Sequence, residues 1–331
     1  MKVVVDHIIR QGRCQEICED YADPGLSGNM RLIRKGNGLA ASDGGRLVSI
    51  RTRHVNVTCI MKRRIAMNVQ LLMIDLQNDF CEPNGALYVN GANEDAIRTA
   101  DLIRRLGKRL DRIRMTMDCH HVIDIAHPIF WLDYEDEHPA PFTIIGVDDI
   151  EKGRFRTTNP TFMKRAGDYV RELAANDRYP LCIWPYHCLI GTWGNNIQND
   201  VMDAVQSWER DNFAMAEIVP KGTNFWTEHY SAVKADVPDP RDPGTQLNDD
   251  LIRALEQADV IGVLGQAKSH CLANTVRDIA GEFGKENVKK LVLIEDCTSS
   301  VSGFEHLGEE FVQEMTASGM QVAQAADFLA V

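Results

Sequence analysis

The feature that most constrains the fold is an alternation of short apolar runs with helical patterns, which begins at Met67 and continues to Ala323. The predicted strands are seven short runs rich in Val, Ile, Leu and Met: Val69–Asp75, Ile113–Asp118, Leu181–Trp184, Ala216–Pro220, Val260–Gly265, Leu291–Glu295 and Gln321–Ala323. The predicted helices are Glu94–Ile113, Thr161–Asn176, Gln246–Ala258, Ser269–Phe283 and Gly308–Ser318. Near-continuous apolar strands between helices are typical of a parallel sheet covered on both faces. The sequence therefore predicts an α/β fold, a three-layer α/β/α arrangement around a mainly parallel central sheet.

The first 66 residues differ from the rest in charge and pattern. They carry twelve Lys or Arg and six Asp or Glu, whereas residues 67–331 carry 24 and 42. Their apolar runs are short and bury little surface to offset the entropy of ordering. We expect a weakly ordered basic leader over residues 1–66 and one folded domain over residues 67–331, with an insertion at about 132–180. Two alternatives stay open for the leader: a basic interaction arm, or a working protein that begins at Met67.

Composition excludes several classes of protein. The formal net charge of −12 at pH 7 argues against partners such as nucleic acids or anionic membranes. No apolar run approaches the roughly 18 residues of a membrane span, and Asp6 and His7 lie where a secretory signal would need its apolar run. The nine cysteines include no CxxC pair. These features predict a cytoplasmic chain with reduced thiols, without nucleic-acid or membrane partners.

Residues capable of catalysis or metal binding follow four of the predicted strands, at the carboxyl ends where open α/β sheets place their sites. They are Asp75 in LLMIDLQNDF, Asp118, His120 and His121 in MTMDCHH, His187 and Cys188 in WPYHC, and Cys271 in VLGQAKSHC. A lone strand-end Asp is more often a cap or turn former, and a lone cysteine at a helix start more often packs than reacts. Four such places together indicate a catalytic site.

Five pieces of the sequence resemble those of the nicotinamidases, within the isochorismatase-like cysteine hydrolase superfamily. In chain order they are DLQNDFC (75–81), DCH (118–120), WPYHCLIGTWG (184–194), VPKG (219–222) and GQAKSHCLANT (265–275). The resemblance implies the isochorismatase-like hydrolase fold. It also implies an amidohydrolase of NAD salvage, which converts nicotinamide into nicotinate and ammonia through a cysteine thioester.

The resemblance also implies a role for each matching residue. The catalytic set is Asp75, Lys221 and Cys271, and the metal-binding set is Asp118, His120 and His187. Phe80 and Trp184 match residues that flank the substrate ring, and Ala267 matches the residue that supplies one oxyanion-hole amide. The Gln266–Ala267 peptide bond matches one that is commonly cis in the family. The cofactor implied is a divalent metal ion: zinc first, with iron and manganese as alternatives.

The residue types fit amide hydrolysis. Only a thiolate attacks, and we expect a helix N-terminus and Lys221 to lower the pKa of Cys271. Asp75 can take the thiol proton, pass it to departing ammonia and then activate water against the thioester. The amides of Ala267 and Cys271 would stabilise the oxyanion.

The metal-binding set is also chemically consistent by itself. Two imidazoles and one carboxylate suit zinc, iron or manganese, with coordination positions left open. In the Asp-x-His spacing, Asp118 and His120 lie on the same side of an extended segment. The alternative is that Asp118 caps a turn and His120 is an exposed polar residue; His187 in WPYHC favours the metal.

One departure from the family pattern concerns a further histidine. Nicotinamidases usually carry one about four residues after the Asp-x-His pair. The candidates here are His121, directly after His120, and His127, seven residues after it. This departure leaves two other functions open: a metal-independent superfamily amidohydrolase acting on a carbamoyl or ureido compound, and a non-catalytic binding relative. The expected partner is a small amide substrate, and a homo-oligomer stays open.

Overall fold

The computed structural model describes residues 30–35, 38–43, 46–51, 56–61, 67–176 and 178–330, and divides the chain into two compact units, Met1–Met67 and Asn68–Val331. The first unit contains four strands, β1 (Met30–Lys35), β2 (Gly38–Asp43), β3 (Arg46–Arg51) and β4 (Asn56–Met61), which form a closed barrel. The sequence did not predict these strands, because Lys, Arg and Gly interrupt their apolar runs. That the leader is weakly ordered and dispensable for chemistry stays a prediction.

The second unit contains strands and helices in alternation. Its strands are β5 (Val69–Ile74), β6 (Arg112–Asp118), β7 (Trp131–Asp133), β8 (Ile144–Ile145), β9 (Phe155–Thr157), β10 (Leu181–Cys182), β11 (Glu217–Lys221), β12 (Val260–Gly265), β13 (Leu291–Ile294) and β14 (Gln321–Ala323). Its helices are α1 (Asn78–Cys81), α2 (Ala92–Leu106), α3 (Val147–Glu151), α4 (Met163–Ala175), α5 (Asn199–Asn212), α6 (Asp249–Glu256), α7 (Cys271–Phe283), α8 (Lys285–Val288) and α9 (Glu305–Ala317). Short 3₁₀ turns occupy Gly107–Arg109, Pro128–Phe130, Pro160–Phe162, Pro243–Thr245 and Glu295–Cys297.

The central sheet has six parallel strands in the order β11-β6-β5-β12-β13-β14. The chain builds outwards from β5 through β6 to β11, and then outwards from β12 through β13 to β14. Right-handed crossovers place the helices of the two halves on opposite faces. The contacts agree, since α2 packs against α5, and α7 packs against α6 and α9. The prediction of a three-layer α/β/α fold with a mainly parallel sheet is confirmed.

The reversal of strand order fixes where a site is expected. Strands β5 and β12 are neighbours in the sheet, yet their chains leave in opposite directions, so their carboxyl ends flank a topological switch point. The residues directly after these strands begin with Asp75 and Gln266. In the register of the sheet, Lys221 at the end of β11 pairs with Asp118 at the end of β6.

The prediction of the third strand, Leu181–Trp184, is wrong both in its bounds and in its place in the central sheet. Only Leu181 and Cys182 are strand, and they pair antiparallel with Ile144–Ile145 in a separate two-stranded sheet. The backbone after Cys182 leaves this sheet, and the Trp184 N–H donates instead to the Ala126 carbonyl at 2.7 Å. Pro185 follows, and it has no N–H for a ladder.

The segment 132–180 contributes to the core of the second unit. Ile145 and Ala166 are fully buried, and Val170 and Leu173 on α4 are nearly so. Its interpretation as an insertion stays a prediction. None of the described helices combines the length and the apolar composition that crossing a bilayer requires.

Candidate active site

Three predicted catalytic residues meet at the carboxyl edge of the sheet. The Lys221 ammonium lies 2.9 Å from Asp75 Oδ2 and donates to Cys271 Sγ at 3.5 Å. Asp75 follows β5, Lys221 ends β11, and Cys271 is the first residue of α7. All three side chains are buried. The parallel order of the sheet therefore produces the grouping that the sequence predicted.

Asp75 is held by its backbone and by the Thr116 hydroxyl. Its φ of 44° lies in the left-handed region, which turns the chain sharply after β5. The Thr116 hydroxyl donates to Asp75 Oδ1 and accepts the Asp75 N–H at 3.0 Å. Burial raises the pKa of Asp75 above its ordinary value; Lys221 opposes this shift and Asp118 adds to it. A carboxylate with a raised pKa is a better proton acceptor than one in water.

The thiol of Cys271 differs from the expectation. Burial raises its pKa well above the ordinary value, with Lys221 opposing and Asp75 adding to the shift. The expectation that Lys221 and the helix N-terminus would give a lowered pKa is therefore wrong, because burial outweighs them. The resting residue is a thiol that needs a base, and Asp75 is the adjacent one.

Two backbone N–H groups beside the thiol are available to a ligand. The Ala267 carbonyl accepts the N–H groups of His270 at 3.0 Å and Leu272 at 3.2 Å. Among residues 67–176 and 178–330, the amides of Ala267 and Cys271 donate to no acceptor. The Gln266–Ala267 peptide bond is cis, as the resemblance implies. Buried N–H groups without partners are rare, and a pair of them beside a nucleophile is suited to binding an oxyanion.

A second cluster joins the catalytic residues through Lys221, whose Nζ lies 3.0 Å from Asp118 Oδ1. One ligand atom from each of Asp118, His120 and His187 lies within 4.8 Å of the others, and all three residues are buried. His120 Nε2 lies 3.1 Å and His187 Nε2 lies 3.5 Å from Asp118 Oδ2. A parallel bridge between His120 and Leu189 brings the loop after β10 to this place, although β10 lies outside the central sheet.

The orientation of both imidazoles fits a metal ion. His187 Nδ1 lies 2.8 Å from the Pro185 carbonyl and His120 Nδ1 lies 3.0 Å from Asp124 Oδ2, so each Nδ1 carries the proton. Each Nε2 then faces the other ligands, because a polar partner on Nδ1 fixes the orientation of the ring. The Asp118 and Asp124 carboxylates outweigh burial and raise the pKa of His120 well above its ordinary value, so His120 must give up a proton to bind an ion. Burial would raise the pKa of Asp118, but His120 and Lys221 hold it well below the ordinary value. The cluster can hold a divalent metal ion.

The sequence analysis left the role of two nearby histidines open. His121 is exposed, whereas His127 is fully buried with its ring 5.3 Å from that of His120 and 5.7 Å from that of His187. Burial lowers the pKa of His127 to about 4, so its imidazole is neutral. Its Nε2 has no hydrogen-bond partner in the described part of the chain. His127, and not His121, therefore borders the cluster, and the histidine in AHPIFW was the signal for it.

The predicted substrate-binding residues lie in different surroundings. Phe80 packs edge-on against His187 with ring centroids 5.5 Å apart, and thus borders the metal cluster. Trp184 is buried, donates its indole N–H to the Tyr230 hydroxyl at 3.1 Å and packs edge-on against His270 at 5.2 Å. Ala267 presents its free amide beside Cys271. Their roles toward a substrate stay predictions.

Comparison with known proteins matches this geometry to one group of enzymes, although no protein-family model matches the chain. The chain is 26% identical to the nicotinamidase of Saccharomyces cerevisiae over 254 residues, which cover 76% of this chain and 97% of that protein. The solved yeast nicotinamidase superposes with a TM-score of 0.54 at 21% identity, covering 77% of this chain and 99% of that one. A nicotinamidase and pyrazinamidase of Acinetobacter baumanii superposes with the same score and identity, covering 80% of this chain and 99% of its own. The resemblance to the nicotinamidases is therefore confirmed, and the chain has their isochorismatase-like hydrolase fold.

Proposed function

We propose that this chain is a cysteine amidohydrolase that converts nicotinamide into nicotinate and ammonia. The observation that carries the proposal is the buried grouping of Asp75, Lys221 and Cys271 beside two free backbone amides. Similarity to a nicotinamidase over three-quarters of the chain supports this choice of substrate.

The first half of the reaction forms a thioester. Asp75 takes the proton of the Cys271 thiol, and the sulfur attacks the carboxamide carbon of the substrate. The carbonyl oxygen becomes an oxyanion, which accepts hydrogen bonds from the amides of Ala267 and Cys271. The C–N bond then breaks, and the leaving nitrogen takes the proton from Asp75 and departs as ammonia.

The second half returns the enzyme to its starting state. Asp75 takes a proton from water, whose oxygen attacks the thioester carbon. The C–S bond breaks, the proton held by Asp75 returns to the sulfur, and the carboxylic acid leaves and loses its own proton to solvent, which gives nicotinate. Throughout, Lys221 stays charged and balances the charge on Asp75. Burial by itself would lower the pKa of the Lys221 ammonium, but the Asp118 and Asp75 carboxylates raise it well above its ordinary value.

Asp118, His120 and His187 would hold a divalent metal ion, with zinc as the first candidate for a site of two imidazoles and one carboxylate. When bound, such an ion supplies a Lewis acid that can hold a ring nitrogen or a water molecule. Asp124 and the Pro185 carbonyl keep the two imidazoles turned toward it. Phe80, packed against His187, would place an aromatic face beside the substrate ring.

The test is ammonia release from four amides, nicotinamide, pyrazinamide, ureidoacrylate and an N-carbamoyl compound, with and without a chelator. We expect release from nicotinamide, and loss of activity on chelation that added zinc restores. Cys271→Ser should abolish turnover, whereas Cys182→Ala, which changes a buried thiol on β10, should keep it. Chelator-resistant release from a ureido or carbamoyl compound alone would instead establish the metal-independent activity. The absence of ammonia release from all four amides would instead support the non-catalytic binding relative.

A further inference from the structure

We infer that Asp95, on helix α2, is a positioning residue for the loop that presents the Ala267 amide to the oxyanion. It acts through two intermediaries, the Gln266 side chain and Ser299. This inference rests on the proposed function, because it assigns the loop a task in amide hydrolysis.

One carboxylate oxygen of Asp95 accepts a hydrogen bond from each of the two intermediaries, Gln266 and Ser299. Gln266 Nε2 donates to Asp95 Oδ2 at 2.9 Å, and the Ser299 hydroxyl donates to the same oxygen at 2.6 Å. The Ser299 N–H in turn donates to Gln266 Oε1 at 3.3 Å. Gln266 is fully buried and Asp95 is 2% exposed. The three residues form a closed hydrogen-bonded ring next to the loop, in which Ser299 takes part through both its hydroxyl and its backbone N–H.

This ring fixes the residues on both sides of Ala267. The Gln266 N–H donates to the Ile74 carbonyl at 2.8 Å, and the Lys268 N–H donates to the Ser299 carbonyl at 2.8 Å. Ala267 has only a methyl side chain, so the direction of its N–H is set by its neighbours. Loss of Asp95 would release the Gln266 and Ser299 side chains together, so that only these two backbone bonds would hold the direction of the amide.

Asp95 lies in the first turn of α2, where a carboxylate is favourable, but its ion pair does not by itself account for burying one at this place. Asp95 Oδ1 pairs with Arg98 at 2.6 Å, but the Arg98 side chain is 42% exposed. Burying a carboxylate against a half-exposed partner contributes little net stability, and an apolar residue would serve packing as well. An oxygen acceptor is required where two polar donors must be held in one geometry, and a carboxylate oxygen strengthens both bonds.

The experiment compares Asp95→Ala with Asp95→Asn and with Asp101→Ala, which removes an exposed carboxylate from the same helix. We expect kcat for nicotinamide to fall about 10- to 100-fold in Asp95→Ala with little change in KM, since displaced oxyanion donors cost rate rather than binding. Asp95→Asn should keep most of kcat, because its carbonyl oxygen can accept from both Gln266 and Ser299. Asp101→Ala should match the wild type.

Two further measurements separate positioning from general damage. Pyridine-3-carboxaldehyde forms a hemithioacetal: the Cys271 sulfur bonds to the aldehyde carbon and the thiol proton passes to its oxygen. Its affinity should fall in Asp95→Ala by the same factor as kcat. Alkylation of Cys271 by iodoacetamide forms no oxyanion, so its rate should stay within about twofold. If Asp95→Ala does not fold, Ser299→Ala removes one bond of the ring and should lower kcat and aldehyde affinity together by a smaller factor.

The outcomes are distinguishable from failure of the proposed function. A wild-type protein that hydrolyses no amide refutes that function, and the aldehyde titration then still decides the inference. An active wild type with unchanged kcat and aldehyde affinity in Asp95→Ala overturns the inference alone. Equal losses in kcat, alkylation rate and melting temperature would also overturn it, because they would show a purely structural role.

Discussion

A single ammonium group, that of Lys221, connects the nucleophile to the metal cluster. It lies within 3.0 Å of one oxygen of Asp75 and one of Asp118, and 3.5 Å from the sulfur of Cys271. Two carboxylates buried this close would otherwise repel each other, and one would take up a proton. Lys221 thus allows a base and a metal ligand to stay ionised side by side.

The first prediction concerns Asp75 and Lys221 as one unit. Asp75→Asn and Lys221→Ala should each lower kcat at least about 100-fold, and the double variant should be little worse than either single one. If the double variant loses steady-state ammonia release by the product of the two single losses, the two groups act independently. Lys164→Ala, which removes an exposed lysine of α4, serves as the control and should be neutral.

The second prediction concerns His270, which precedes Cys271. Burial lowers the pKa of His270 to about 3, so the folded protein keeps it neutral while the unfolded chain binds a proton below about pH 6.5. Its contribution to stability is complete above pH 6.5 and is lost as the pH falls toward 3, by about 1.4 kcal/mol per pH unit. In His270→Phe, the melting temperature should therefore depend less steeply on pH between 6.5 and 4. The same slope as in the wild type would contradict this, and exposed His306→Gln gives the baseline.

Several strands and helices could be predicted because their side chains repeat with the period of their structure. The predicted strand Val260–Gly265 has its observed bounds, since its apolar run is continuous and ends at glycine. Helix α2 was predicted to continue to Ile113, but it ends at Leu106, because Gly107 with φ 49° leaves the helix and β6 begins soon after. The sequence analysis did not predict helix α5, because polar residues dominate its sequence. Val201, Val205 and Trp208 nevertheless form its buried face.

The site was predictable where it depends on strand ends, and unpredictable where it depends on loops. Asp75, Lys221 and Cys271 meet because parallel strands end at one edge. The sequence analysis named both His121 and His127 as candidates but could not choose between them, because the path of a loop leaves no periodic signal. The Asp95–Gln266 contact could not be predicted, because its partners are 171 residues apart.

The third prediction concerns the turn after β11. Gly222 has φ +78°, and a Cβ there would lie 2.7 Å from Asp118 Oδ1. Gly222→Ala should therefore displace this ligand, lowering metal retention after dialysis and ammonia release at least about tenfold, beyond a backbone cost of roughly 1–2 kcal/mol. The matched change Gly281→Ala, on α7 with nothing within 4 Å, should leave both unchanged and raise the melting temperature slightly. Full metal content in Gly222→Ala would refute the argument.

The candidate site lies entirely in the second of the two units. Every residue of the catalytic and metal clusters lies in Asn68–Val331, on the carboxyl edge of one sheet. The acidic balance of residues 67–331 argues against nucleic acids as partners. A cytoplasmic location and the absence of nucleic-acid and membrane partners stay predictions from composition.

The last prediction is that a chain beginning at Met67 keeps its activity. The start of β5 is fastened within the second unit: the Asn68 N–H donates to Asp259 at 2.7 Å, its side-chain amide donates to the Gln257 carbonyl at 3.0 Å, and the Val69 N–H donates to Asp111 at 2.8 Å.

With these anchors retained, kcat for nicotinamide should stay within about twofold of the full chain, with a similar melting temperature. A chain beginning at Leu71 is the matched control: it loses all three anchors and the first pairs of β5 with β6 and β12, so it should melt at a lower temperature and lose activity. Loss of activity already in the chain that begins at Met67 would show that the first unit contributes to the folded, working enzyme, because nothing in the second unit would have been removed.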